Sequence, residues 1–63
     1  MKILKIEKEN DKIIVYYKKK LFEKFEIDFH QFFICDNVTY QPYSYETKGN
    51  IVCIKYDKVN KNI

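Results

Sequence analysis

The residues able to do chemistry in this chain are few. One histidine, His30, stands five positions before Cys35, and a second thiol follows at Cys53. A Cys–His pair can serve as nucleophile and base, but on a turn of helix a spacing of five sends the two side chains to different faces. No third group is placed to orient the imidazole. His30, Cys35, Cys53 and Asp28 also form a nominal metal set, yet there is no Cys-x-x-Cys or His-x-x-x-His spacing to gather ligands. Glu26 and Asp28 alternate with apolar neighbours, which is the pattern of a solvated strand face rather than of an acid–base couple. Such carboxylates suit cross-strand pairing with lysines such as Lys18 or Lys20. Gly49 is the single glycine, so no glycine-rich loop can cradle phosphate, and P-loop or dinucleotide-fold catalysis is excluded. The expectation is a protein that is not an enzyme, with no catalytic residue, metal, cofactor or small-molecule substrate.

Binding is the remaining chemistry. The net charge is +3, and all twelve basic residues are lysine. Nucleic-acid surfaces favour arginine, whose planar fork pairs bidentately with phosphate and guanine. Lysine-mediated, non-sequence-specific nucleic-acid binding is therefore the alternative reading, with Lys5, Tyr16, Lys18, Lys19 and Lys20 as its candidates: a stacking ring beside ammonium groups. The preferred reading is a protein-interaction module, either an accessory subunit or a small inhibitor of the kind phages and mobile elements encode. Its partner would be another protein or a second copy of the chain. The candidate surface is Tyr40, Tyr43 and Tyr45, because tyrosine joins a large apolar body to a hydroxyl and is enriched at interfaces.

The location expected from the sequence is cytoplasmic. Met1 to Lys5 runs straight into further charges, without the apolar stretch of a secretory signal, and no segment is apolar enough to span a membrane. Two cysteines are too few to staple a small secreted fold; the pairing of Cys35 with Cys53 is left open.

The elements that would position these residues are mostly strands. Residues 2–8 alternate with period two, Asn10-Asp11 makes a turn, and the second strand returns with Glu9 facing Lys12, Ile6 facing Val15 and Leu4 facing Tyr17. Leu21 to Phe33 holds all five phenylalanines and fits two periods. One reading is a strand at 22–27 followed by a helical turn at 29–34 capped by Asp28; the other is a continuous helix over about 21–34. Either way Phe25 and Phe29 are expected inside. Residues 38–45 form a strand in which Pro42 marks an edge or a bulge. Gly49 closes a hairpin onto a central strand at 51–56, and 58–63 is expected to be a flexible tail.

The chain thus reads as a single domain over 1–63, mainly β. The expected fold is a small five-stranded antiparallel barrel or curved sheet with one short helical turn. The alternative is an α+β fold with the 21–34 helix packed on an antiparallel sheet.

Overall fold

In the computed structural model, which describes residues 1–59, the alternating segments Lys2–Glu9 (β1) and Lys12–Lys18 (β2) pair around Asn10-Asp11. Asn10 takes φ 56°, a left-handed conformation that asparagine tolerates better than most residues. Glu9 faces Lys12 and Ile6 faces Val15, as the alternation requires. Beyond them the register slips: a bulge between Ile3 and Lys5 puts Ile3, not Leu4, opposite Tyr17.

A second hairpin joins Phe33–Cys35 (β3) to Val38–Lys48 (β4) through Asp36-Asn37, both with positive φ. This is the backbone of a type I′ turn, whose twist matches that of the flanking strands. A third links β4 to Ile51–Lys58 (β5), with Gly49 at φ 60° in the first turn position. The five strands form one antiparallel sheet in the order β1-β2-β5-β4-β3, curled into a half-barrel. β5 is central, and Pro42 sits at a bulge between Pro42 and Ser44. β3 pairs with β4 only as far as Tyr40, so the N–H that Pro42 lacks would have had no strand to meet on that side.

One face of the sheet is packed. Ile13 and Val15 from β2, Tyr40 from β4, and Val52, Ile54 and Tyr56 from β5 form the buried cluster. It is covered by the chain between β2 and β3, which leaves the middle of the sheet and must reach its far edge, roughly 14 Å away across two intervening strands. This strap is extended and makes no ladder. Phe25 and Ile27 turn inward against the cluster, and Phe25 meets Tyr45 edge-on at 5.5 Å between centroids. Lys24, Glu26 and Asp28 turn outward.

Several expectations are corrected here. The described residues contain no helix, so neither the turn at 29–34 nor the helix at 21–34 forms, and the expected strand at 22–27 is the unpaired strap. Asp28 does cap a turn, accepting from the His30 amide at 2.9 Å, but the chain then enters β3. Phe22, out of phase with Phe25 and Ile27, is 92% exposed, whereas Phe29, in phase with them, is 41% exposed because it lies in the turn that follows Asp28 and ends the alternation. Lys58 belongs to β5, and the Val59 amide donates to the Thr39 carbonyl at 2.9 Å; residues 60–63 of the expected tail lie outside the described residues. Cys35 packs against the core cluster, whereas Cys53 lies on the opposite face, across from Tyr16. Both are free thiols. No helix among the described residues is long and apolar enough to cross a membrane.

Phenylalanine content alone therefore does not measure importance to the fold. Ile13→Ala should cost about 2–5 kcal/mol, most of the ~3–9 kcal/mol available to a chain of this size. Phe22→Ala should change stability by less than about 0.5 kcal/mol. Urea unfolding monitored by circular dichroism would check both, and a large loss for Phe22→Ala would contradict the strap arrangement.

Candidate interaction surfaces

Because the strands are antiparallel and in register, residues from different strands line up in rungs across the open face of the sheet. At one end, Lys2 faces Lys18, Lys18 faces Ile51, and Ile51 faces Lys48. Like charges directly opposite one another are unfavourable, and here they are reinforced by Lys19 and Lys20, which follow β2. The Met1 ammonium lies nearby, held 3.3 Å from Glu23. Glu23 also accepts from the Lys20 amide at 3.0 Å, and its carboxyl is held below the usual range by that bond and by the ammonium. Among the described residues a single carboxylate therefore stands against a cluster of cations.

The next open-face rung is Lys5, Tyr16, Cys53 and Glu46. Lys5 lies 4.5 Å from the Tyr16 ring centroid and 3.5 Å from Glu7. The Glu7 carboxylate beside the Tyr16 hydroxyl pushes that phenol up to about 12, and the same contact lowers Glu7. Of the five residues expected to contact nucleic acid, Lys5 and Tyr16 are thus already engaged with Glu7, while Lys18, Lys19 and Lys20 belong to the lysine end. Lys2 and Lys48 complete that end. Their contribution was not evident in the sequence, because they are distant along the chain and meet only through the β1–β2 and β4–β5 registers.

The three tyrosines expected at a protein interface are dispersed. Tyr40 is 4% exposed in the core cluster. Tyr43 is exposed, with Lys12 5.2 Å from its ring centroid, while Tyr45 leans on Phe25 across the packed face. The bulge at Pro42/Ser44 lies between Tyr40 and Tyr45 and shifts the register there.

Uncovered apolar side chains stand on the outer side of the strap and on β3, where Leu21, Phe22, Phe32 and Ile34 are exposed, and also on the edge strand β1. All eight of its residues are exposed, and Ile3, Leu4 and Ile6 retain 45%, 47% and 39% of their accessible surface. These side chains went unflagged in the sequence because the alternation predicts them as core. They are bare because the strap crosses toward β3, away from β1. At its far end β1 is clasped to the opposite edge: Lys8 reaches Asp36 in the β3–β4 turn, raising the ammonium pKa and lowering that of the carboxyl.

Between strap and sheet lies a cavity of about 180 Å³, lined by Met1, Tyr17, Ile27, Phe32, Pro42 and Tyr56 among others. Sites for drug-sized ligands occupy roughly 300–1,000 Å³, so this space suits small solvent species. At its floor the Tyr17 and Tyr56 hydroxyls lie 3.1 Å apart, and burial followed by that contact pushes the Tyr56 phenol up. His30 is exposed, and burial pushes the Cys53 thiol up, which makes it a poor nucleophile at neutral pH. Among the described residues no three His, Cys, Asp or Glu side chains converge as a metal site would need.

The phenol shifts predict a pH dependence. A tyrosine whose folded pKa is raised above its unfolded value of about 10 stabilises the fold fully below pH ~10, and that contribution is lost as the pH rises toward and beyond 12. An ultraviolet titration of the six tyrosines should show Tyr16 and Tyr56 ionising last, and Glu7→Gln should return one phenol toward about 10; six phenols ionising together would contradict it. No protein family, curated protein or solved structure matches the chain, so its functional reading rests on these surfaces.

Proposed function

We propose that this chain is a non-enzymatic protein-binding module, an accessory subunit or small inhibitor, that receives its partner along β1. The observation that carries this reading is an edge strand of eight residues, all exposed, with Ile3, Leu4 and Ile6 uncovered. An unpaired edge offers a row of backbone donors and acceptors to an incoming strand, and the apolar side chains beside it supply burial that backbone pairing alone lacks. Strand addition of this kind draws affinity from the main chain and specificity from alternate side chains. The tyrosine surface is reduced to Tyr43 and Tyr45, on different faces, and takes second place.

A Leu4→Thr/Ile6→Thr variant keeps strand propensity in the β-branched threonines while removing the apolar contact. It should weaken partner binding by at least about tenfold, equivalent to ~1.4 kcal/mol, with little change in melting temperature. Binding that is indifferent to this variant would remove β1 from the reading.

A second reading is favoured by the rung of Lys2, Lys18 and Lys48, which with Lys19 and Lys20 would neutralise a polyanion such as a nucleic-acid backbone. Affinity for a labelled oligonucleotide should then fall with salt at a log–log slope of about −0.7 to −0.9 per phosphate contacted, and Lys18→Gln should reduce that slope by about one contact. No binding at low salt would eliminate it.

A further inference from the structure

We propose that the partner at β1 is a second copy of this chain, paired antiparallel about a two-fold axis through Ile6, so that two half-barrels share one continuous sheet. The inference rests on the protein-binding reading above and names its partner.

The backbone determines which residues are free to pair. Adjacent residues of a strand send their N–H and C=O groups to opposite sides. On the β2–β5 ladder, the Lys19 amide bonds Asn50 and the Lys58 amide bonds Asp11, each at 2.8 Å. These two bonds continue the alternation through Tyr17, Val15 and Ile13, so the odd-numbered β2 residues serve β5 and Lys12, Ile14 and Tyr16 serve β1. Their partners are Glu9, Glu7 and Lys5. Ile6 and Lys8, lying between them, turn their backbone groups to the free edge.

Side chains then select the register. A two-fold axis at Lys8 would set that ammonium against its own copy. An axis at Ile6 satisfies the free backbone groups, places Ile6 on Ile6 of the second copy, and sets Lys5 against Glu7 twice by symmetry. Lys8 falls opposite Leu4, where its aliphatic stem can lie on the leucine while its head remains with Asp36. The Ile3/Lys5 bulge limits the pairing to the middle of β1. The other sheet edge, β3, is three residues long and offers no comparable ladder, so the contact is isologous and closes at two copies rather than propagating.

The test is a charge exchange that only an intermolecular contact can satisfy. By light scattering and sedimentation across a concentration series, the wild type should form dimers. Lys5→Glu alone and Glu7→Lys alone should each weaken the dimer by about tenfold or more. An equimolar mixture of the two variants should restore association as a heterodimer, although the intrachain Lys5–Glu7 pair remains broken in both; circular dichroism of each variant establishes that it is folded. A wild type that is monomeric at millimolar concentration overturns the proposal, as does a mixture that associates no better than its components. If the monomer nonetheless loses a different protein partner in the Leu4→Thr/Ile6→Thr variant, the self-pairing is refuted and the β1 binding reading survives.

Discussion

The structure depends on one topological constraint: β2 lies beside β5, so the chain that leaves β2 must travel to the far edge before it can begin β3. That journey runs from the lysine end of the sheet to the opposite end, over the packed face, because the apolar side chains there need a cover. A strap following that diagonal protects β5, β4 and part of β2. It cannot also protect β1, which lies on the other side of its starting point. The exposed edge, the small cavity under the strap and the modest core all follow from this path.

Charge is arranged by the same registers. Away from the lysine end, Lys5 pairs with Glu7 and Lys12 pairs with Asp57 at 3.7 Å. These are exposed pairs of small individual worth, but they leave the surface locally balanced. Among the described residues, the carboxylate that meets the lysine end is that of Glu23. A net charge of +3 thus describes the molecule poorly, since the excess is concentrated at one end of one sheet. The apolar edge and the cationic end are adjoining but distinct surfaces, joined at Lys2.

How much of this was legible in the residues depends on the range of the interaction. The β1–β2 hairpin was readable because Asn10-Asp11 and the flanking alternation are local and agree with each other. The same holds for Gly49 and for the bulge at Pro42, where a missing N–H has an unambiguous consequence. Leu21 to Phe33 departs from its sequence pattern because aromatic content signals burial without saying how many rings a core can hold. Its alternation at Phe25 and Ile27 was correct, but strand status requires a ladder partner, and none is available to the strap. Tyr40, Tyr43 and Tyr45 do not form one surface, because the bulge turns Tyr45 onto the packed face with Tyr40 and leaves Tyr43 on the other.

The elements are written into the residues: short alternating segments, tight turns at residues that accept positive φ, a mainly β fold, and the absence of any familiar catalytic motif. These follow from near-neighbour sterics and period-two patterning. Which strands are neighbours, that Lys2 and Lys48 join Lys18, and that Ile3, Leu4 and Ile6 are bare emerge from the assembled sheet. Strand order depends on contacts between residues far apart in the chain, and burial depends on what lies overhead. Neither quantity is carried by the local pattern, and so the surfaces that bear on function emerge only when the sheet is assembled.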